Sequence, residues 1–555
     1  MKKTLSFLLV FMLIISAVPL GAFTLDVSAA TEGYYTYEIL DGEAIITKVD
    51  MNISGDIIIP STLGDCSVTG IGDGAFRFCM GITSITIPDC IISIGEYAFA
   101  SCSKLTDLTI PSSITTIGYS ALEDCNALKK LTLPFVGEKI DGTTNTFLGY
   151  VFGADSYLHN YDKVPLSLKE VIVTNAVSID DFAFSGCGGI TNILLPDTTI
   201  SIGKYAFKEC KNILEIAIPS GVTEIETYAF YKCNNLSKVN IGGSVENIGV
   251  RAFSGCDSLV NINVSPANAK YLSIDGVLFN KEKTCLIRYP AGKSEAYYDV
   301  PDDTVCIDTY AFESSVNLKN VTVADSVKSI GFNAFYDCDG LEKITLPFVG
   351  EAIDSTTNTH FGYIFGAEKG YQYNCQYVPQ SLKKVIITYA TTIESHAFDD
   401  CDYITNITLW DNTTSIGERA FYSCNSLVNV FLPDSVVKIG NDAFSNCGDL
   451  QLNGYDGSYA QKYANEMSIP FVVMERPVIT GDTNGDDSID NKDCAIIMQY
   501  INNWNVEIDL VAAEVYIDGK INNKDYVMLM RHINGWGEEH APSDDVGIQL
   551  PVDKW

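Results

Sequence analysis

The chain has 555 residues, a formal net charge of −34 and a pI near 4.4. Such an acidic chain is unsuited to nucleic acid, because phosphate binding needs basic patches. Its length allows more than one domain. Metal cations and other proteins are the partners that this charge favours.

Residues 1–29 are predicted to be a signal peptide. Lys2 and Lys3 precede the apolar run 5–17, and Val27, Ser28 and Ala29 form a small-x-small cleavage site. The apolar run is too short to predict a membrane span. The sequence therefore predicts a secreted, extracellular protein with no transmembrane segment.

An Ala-Phe pair recurs along most of the chain, usually at steps of 23 residues. Near one pair, Leu108 and Ile110 alternate with polar residues, which is typical of a short strand with one buried face. The pair itself, Ala98 and Phe99, is predicted to form a tight helical turn. One such unit cannot bury its own apolar face, so the period predicts a solenoid of stacked coils. The pairs begin at Ala75, Ala98, Ala183, Ala206, Ala229, Ala252, Ala311, Ala334, Ala397, Ala420 and Ala443, with Ala121-Leu122 as a variant.

Around these pairs the chain resembles the BspA-like leucine-rich repeats of bacterial surface proteins. Their pattern, approximately L-x-x-I-x-I-P-x-x-V-x-x-I-G-x-x-A-F-x-x-C, is met almost fully between Leu105 and Cys125. The resemblance covers about residues 34–474. It implies an α/β repeat solenoid over residues 30–475, with a cap at each end, and a role in recognition or adhesion.

The seventeen cysteines would suggest disulfides in a secreted chain. Eleven of them, however, stand three residues after the Phe or Leu of a repeat, and Ser315 takes the twelfth place. A small buried residue needed once per coil explains this pattern, and free cysteine has that character. No Cys-x-x-Cys pair supports a metal site. The predicted reduced ladder comprises Cys79, Cys102, Cys125, Cys187, Cys210, Cys233, Cys256, Cys338, Cys401, Cys424 and Cys447.

The 23-residue step is interrupted three times. Two gaps share one sequence, with 133–138 matching 346–351, and each is predicted to be an oversized coil with a surface loop at 150–161 or 363–377. The third gap contains 274–281, where Asp-Gly lies between strand-like runs and predicts an inserted hairpin. A hairpin within 34–59 and a helix and strand within 455–474 are the predicted caps.

A different pattern occupies 479–538. The twelve residues from Asp482 to Asp493 place oxygen-bearing side chains at the spacing of a calcium loop, and the segment recurs after 32 residues. This predicts two calcium sites. The first uses Asp482, Asn484, Asp486, Ser488, Asp490 and Asp493, and the second uses Glu514, Asp518, Lys520, Asn522 and Asp525.

Here the sequence is similar to a type I dockerin, a small all-α calcium-binding module that docks onto cohesins of cellulosome scaffolds. The chain departs from that pattern at Asp487, where Gly is usual, and at Glu514 and Tyr516 in the second loop. The resemblance implies a cohesin partner. The docking residues that it implies are Asn491, Lys492, Met498 and Gln499 in one half and Asn523, Lys524, Met530 and Arg531 in the other. A calcium-stapled domain without a partner is the alternative, and 539–555 is predicted to be a flexible tail.

The sequence offers weak candidates for catalysis. A glycosidase needs two facing carboxylates, and Glu138 with Asp141 is the best pair. Glu351 and Asp354 repeat it, which favours a duplicated solvated loop. The five histidines lie in unrelated contexts. The chain is therefore predicted not to be an enzyme.

Two surfaces of the repeats are candidate ligand sites. Tyrosines cluster in the oversized coils, and polar residues alternate along the strands, with Phe431 as an aromatic exception. The tyrosines are Tyr150, Tyr157, Tyr161, Tyr363, Tyr371, Tyr373 and Tyr377. The strand residues are Ser84, Thr86, Asp107, Thr109, Lys130, Thr132, Asn192, Glu215, Lys238, Asn240, Asn261, Asn263, Asn320, Thr322, Lys343, Thr345, Asn406, Thr408 and Asn429.

These patterns predict a secreted, non-catalytic recognition protein. Its repeats bind a protein or glycan, and its calcium-dependent dockerin docks onto a cohesin. The alternative is an accessory component of polysaccharide degradation, with glycan binding or hydrolysis in the solenoid.

Overall fold

The computed structural model describes residues 29–368, 374–474, 483, 491–501 and 529. The predicted signal peptide, most of both calcium loops and the C-terminal tail lie outside these residues. Two compact units are present: residues 1–453 with 459–471, and residues 454–458 with 472–555. Within the part of the chain that the structure describes, no helix has the length and apolar character needed to cross a membrane.

Short strands make up most of the chain. Those up to the third interruption are β1 (Ala30–Glu32), β2 (Tyr35–Leu40), β3 (Glu43–Val49), β4 (Ser54–Ile58), β5 (Thr62–Leu63), β6 (Cys66–Ile71), β7 (Gly81–Thr86), β8 (Ser93–Ile94), β9 (Asp107–Thr109), β10 (Thr116–Ile117), β11 (Lys130–Leu133), β12 (Glu170–Val173), β13 (Ser178–Ile179), β14 (Asn192–Leu194), β15 (Ser201–Ile202), β16 (Glu215–Ala217), β17 (Glu224–Ile225), β18 (Lys238–Ile241), β19 (Asn247–Ile248) and β20 (Asn261–Val264).

The strands that follow are β21 (Tyr271–Ile274), β22 (Val277–Asn280), β23 (Cys285–Arg288), β24 (Tyr297–Asp299), β25 (Cys306–Ile307), β26 (Asn320–Thr322), β27 (Ser329–Ile330), β28 (Lys343–Leu346), β29 (Lys384–Ile387), β30 (Thr392–Ile393), β31 (Asn406–Leu409), β32 (Ser415–Ile416), β33 (Asn429–Phe431), β34 (Lys438–Ile439), β35 (Gln451–Gly454) and β36 (Phe471–Val473). The helices are α1 (Asn160–Lys163), α2 (Asn374–Tyr377), α3 (Tyr459–Met467) and α4 (Asn491–Ile501), with 3-10 helices at Leu148–Phe152, Tyr157–His159 and Phe361–Phe365.

Each regular 23-residue coil contributes one strand to each of two parallel ladders. In the first ladder, β7, β9 and β11 lie side by side with Ile85, Leu108 and Leu131 in register. In the second ladder, β13, β15, β17 and β19 follow one another. The predicted repeat solenoid is confirmed.

The third side of each coil carries the Ala-Phe pair. Hydrogen-bonded turns, not a helix, form there: Ala100 N donates to Tyr97 O and Cys102 N to Phe99 O. Tyr97 and Ser101 adopt positive φ, which closes the turn tightly. Phe99 is fully buried and its ring lies 5.2 Å from that of Phe76. A column of stacked rings therefore fills the core behind the ladders.

The close spacing of neighbouring coils also explains the Ile-Gly pair in the repeat pattern. A Cβ placed on Gly118 would lie 2.3 Å from Glu96 N in the preceding coil. A side chain there would clash with the backbone of the preceding coil. Glycine therefore allows the two backbones to approach this closely.

The ladder cysteines carry free thiols, as predicted. Their role includes a contact that the sequence did not reveal: Cys233 Sγ lies 3.0 Å from Phe207 O in the coil before, and Cys338 Sγ lies 3.0 Å from Phe312 O. Burial raises the pKa of Cys125 to about 12 and that of Cys79 to about 11. Since thiolate is the reactive form, such thiols resist oxidation.

Both caps agree with the prediction. At the N-terminal end, β2 and β3 form the expected hairpin, and β1 pairs antiparallel with β2. At the other end, α3 and β36 lie within the predicted 455–474 cap.

The oversized coils are less exposed than predicted. Their loops contain short helices, and Asn160 and Asn374 are fully buried. Asn160 Oδ1 accepts a hydrogen bond from Gly149 N, and Asn374 Oδ1 accepts one from Gly362 N, both at 2.8 Å. A buried backbone N–H needs an acceptor, so each asparagine fixes its loop against the solenoid.

The third interruption is the predicted hairpin, formed by β21 and β22 with Asp275 and Gly276 at positive φ in the turn.

The apolar core divides into two clusters at this hairpin. Glu313, buried there, accepts hydrogen bonds from Arg251, from Arg288 at 3.3 Å and from Ser254 at 2.9 Å. This charged cluster joins the two halves of the solenoid.

A disulfide reinforces the same junction. Cys285 and Cys306, which are outside the ladder, pair across β23 and β25. The spacing of these two residues gave no indication of this pairing.

The free-thiol ladder predicts the redox state of the purified protein. Peptide mapping of the denatured, unreduced chain should find Cys285 linked to Cys306 and every ladder cysteine as a thiol. Thiol titration provides the control, because reduction should add two thiols to a count of at least eleven. A disulfide-linked peptide containing a ladder cysteine would contradict this expectation.

Candidate functional sites

The open face of the first ladder presents the polar row expected from strand alternation. In β9, Asp107 and Thr109 are exposed on either side of buried Leu108. Ion pairs cross the row: Lys238 Nζ lies 2.9 Å from Glu215, and Lys130 Nζ lies 3.4 Å from Glu170. Exposed pairs of this kind contribute little to stability, because water screens the two charges. The row is thus a hydrated surface of mixed charge.

One residue departs from that alternation. Thr345 was expected on the open face but is buried, with 8% of its surface exposed. Phe431, the aromatic exception in the row, is half-buried.

Three of the five described tyrosine rings in the oversized coils pack against other aromatic rings. Tyr150 contacts Tyr119 edge-on, and Tyr157 stacks on Phe182 with centroids 3.9 Å apart. Tyr363 packs against Phe332. Tyr161 and Tyr377 are exposed, whereas Tyr371 and Tyr373 lie outside the described residues. Packing within the loops therefore explains much of the clustering of tyrosines in the oversized coils.

The Tyr157–Phe182 stack continues along the solenoid as a row of rings. Phe182 stacks on Tyr205 at 5.2 Å and Tyr205 on Tyr228 at 5.1 Å. Arg251 then lies over Tyr228 and Tyr310. Because the ring faces cover one another, this row stabilises the stack and leaves little aromatic face for a ligand.

The candidate catalytic carboxylates are held as anions. Burial raises the pKa of Glu138, but hydrogen bonds from Asn145 at 2.7 Å and Thr144 at 2.9 Å outweigh it and lower the pKa overall. Hydrogen bonds from Thr143 lower the pKa of Asp141. A glycosidase general acid needs a raised pKa. This pair is therefore unsuited to acid catalysis.

The described histidines make structural contacts. His159 Nδ1 lies 2.5 Å from Asp155, and His396 Nδ1 lies 2.6 Å from Asp399. His360 is buried, its Nε2 lies 2.7 Å from Ala367 O, and burial lowers its pKa. None of these contacts pairs a histidine with a serine or cysteine nucleophile.

Little of the predicted calcium and docking site lies among the described residues. Of the predicted metal ligands, Asp493 is fully buried, and its carboxylate accepts hydrogen bonds from Thr483 N at 2.8 Å and Thr483 Oγ1 at 3.2 Å. These bonds join the two ends of the first loop. A carboxylate held there fits a hard cation that prefers oxygen ligands.

The predicted docking residues of the first half lie on α4, where Lys492 is exposed. Asn491, Met498 and Gln499 also lie on this helix. The remaining predicted ligands and docking residues lie outside the described residues. Across the described ranges, no group of three or more His, Cys, Asp or Glu side chains is placed to hold a metal ion.

Comparison with known families matches two regions. Residues 56–148, 164–285, 293–363 and 372–455 match the BspA type leucine rich repeat region, and residues 480–534 match the dockerin type I domain. Type I dockerins bind calcium. No curated protein matches the chain.

Two of the solved structures similar to the chain are bacterial leucine-rich-repeat proteins. A leucine rich cell surface protein from Faecalibacterium prausnitzii is 28% identical over 79% of this chain and 97% of its own, with a TM-score of 0.34. A leucine-rich repeat protein from Bacteroides ovatus is 23% identical over 80% of this chain and 100% of its own, with a TM-score of 0.39.

The buried His360 predicts a pH effect on stability. The unfolded imidazole has a pKa near 6.5, and the folded value is lower. Below about pH 6.5 the unfolded chain therefore binds a proton that the folded chain does not, and stability falls. His360→Phe should reduce the loss of melting temperature between about pH 7.5 and 5.5.

Phenylalanine is the natural control at this position, because Phe147 occupies it in the first oversized coil and is buried there. An equal loss of melting temperature in the parent and the variant would show that His360 does not cause the effect.

Proposed function

Since the chain belongs to the BspA-type leucine-rich-repeat family and carries a type I dockerin, we propose that it is a secreted, non-catalytic recognition protein. Its repeats bind an extracellular ligand, and its dockerin tethers them to a cohesin on a scaffold. The main support for this proposal is that one chain contains both a long repeat solenoid and a docking module.

The solenoid is suited to recognition more than to chemistry. Its core consists of two clusters of closely packed apolar side chains and stacked rings, and the carboxylates Glu138 and Asp141 are stabilised as anions. What the repeats offer to a partner is a long surface of exposed side chains on a rigid scaffold. Repeat proteins use such extended surfaces for binding.

Calcium supplies the folding free energy of the dockerin in this proposal. Asp493 closes the first loop through Thr483, and Asp482, Asn484, Asp486, Ser488 and Asp490 complete its ligand set. Glu514, Asp518, Lys520, Asn522 and Asp525 form the second. A domain of this size has too small a core to fold without such a staple.

Either half of the dockerin docks onto a cohesin in this proposal. Asn491 and Lys492 recur as Asn523 and Lys524, so a rotation that exchanges the halves presents a similar surface. Met498 and Gln499 recur as Met530 and Arg531, which makes the two modes unequal.

Calcium dependence is the first test. In calorimetry of the full chain, chelator should abolish the dockerin transition and leave the repeat transition in place. Asp493→Ala should raise the calcium concentration needed more than Glu514→Ala does, because its carboxylate closes the better-matched loop. A dockerin transition that persists without calcium would show that metal does not drive folding.

Docking is the second test. Replacing Asn491-Lys492 by Asp-Glu should weaken cohesin binding only slightly, and the same change at Asn523-Lys524 should do likewise. Changing both pairs should abolish binding, because wrong-sign charge at an interface costs several kcal/mol. Titration calorimetry against a cohesin measures this. Complete loss from one single change would mean that one face does all the binding, and a parent that binds no cohesin would refute the tether.

A further inference from the structure

The two oversized coils repeat one backbone arrangement where they meet the next coil. In the first, Thr174 N donates to Leu133 O and Asn175 N to Pro134 O, both at 2.9 Å. In the second, the corresponding bonds are Thr388 N to Leu346 O at 3.0 Å and Tyr389 N to Pro347 O at 3.1 Å. The backbone hydrogen bonds at this corner are therefore the same in both oversized coils, although the corresponding residues lie 213 or 214 positions apart.

The side chains at the two corners differ. The first corner has Asn175 and Pro196, and the second has Tyr389 and Trp410 at the same positions. Trp410 is 53% exposed and Tyr389 is 41% exposed. Because the first corner forms without aromatic residues, the fold does not require them at the second. Two large aromatic side chains that are exposed side by side along the solenoid, at positions where the fold does not need them, indicate a binding surface.

A lysine distinguishes the second corner further. Lys328 Nζ lies 4.6 Å from the centroid of the Tyr389 ring, and Thr115 stands at the corresponding place in the first half. Lys328 also donates to Asp325 O at 3.0 Å. The cation holds the tyrosine ring in place. Lys328, Tyr389 and Trp410 form what is called below the aromatic corner.

We propose that the aromatic corner binds the sugar rings of a neutral glycan. The indole face of Trp410 offers a flat apolar surface for the C–H face of a pyranose ring. Exposed Asp411 and Asn412, next along the chain, supply hydrogen-bonding groups for sugar hydroxyls. This inference rests on the proposed function, because it assigns a ligand class to the repeats.

Charge and area favour this ligand over two others. Asp325 and Asp411 are exposed near the corner, and the chain carries a net charge of −34, so an anionic glycan would be repelled. A stable protein interface buries about 800 Å² on each partner, much more than two half-exposed rings provide. A neutral chain that extends along the solenoid needs only a few such contacts.

The test is titration calorimetry of the calcium-loaded full chain with a soluble neutral β-glucan, and with polygalacturonate as the anionic comparison. The parent should bind the β-glucan. Trp410→Ala should weaken binding about tenfold or more, the loss expected for one stacking contact of about 1.4 kcal/mol. Tyr389→Asn, which installs the residue of the first corner, should weaken it less.

Tyr297→Ala is the matched control, because Tyr297 is 70% exposed and is not part of the aromatic corner. It should leave β-glucan binding unchanged. Melting temperature and cohesin binding should match the parent in all three variants, which separates loss of the site from loss of fold.

Three results would overturn the inference: no binding of β-glucan by the parent, equal binding by Trp410→Ala, or a preference for polygalacturonate. Repeats that capture a protein ligand but no β-glucan would also overturn it, while the proposed recognition function would stand. Failure of the parent to bind any cohesin would instead count against the proposed tether, whatever the glycan result.

Discussion

The structure depends on the stacking of coils that cannot bury their own apolar sides. Most coils place one Phe ring against the ring of the next coil, as where Phe207 lies 5.0 Å from Phe230. Burying such a ring contributes about 1.5–3 kcal/mol, and only neighbouring coils provide the burial. The glycine steps, the positive-φ turns and the thiol contacts between coils all keep adjacent backbones close enough for that column to form.

This constraint also determines where function can lie. Side chains that point inward are buried in the core and cannot contact a ligand. The rings of Tyr205 and Tyr228 stack on each other, so their faces are also unavailable. What remains for binding is the open face of the first ladder and the corners where coils change size. The two oversized coils vary at such a corner while their backbone hydrogen bonds stay the same, which is how a repeat protein gains a ligand site without loss of stability.

The sequence predicted features that leave a repeated or local pattern and missed contacts between residues that are separated along the chain. The 23-residue period and the reduced cysteine ladder follow from patterns that many positions share, and the caps and the hairpin at 274–281 follow from local strand, turn and helix signals. The Arg251–Glu313–Arg288 cluster and the Cys285–Cys306 disulfide lie at the third interruption, where the 23-residue period is lost, so no repeated pattern predicts them. The significance of Trp410 as an exposed aromatic residue becomes clear only when the two oversized coils are compared residue by residue.

The central claim is that one chain holds a ligand on its repeats while its dockerin holds a scaffold. The direct measurement is a bridging assay, in which cohesin-coated beads are mixed with the full chain and a labelled neutral β-glucan. The account predicts that label collects on the beads with calcium present and is released, still bound to the soluble chain, when chelator is added. Binding of cohesin and of β-glucan separately, without label ever reaching the beads, would contradict it.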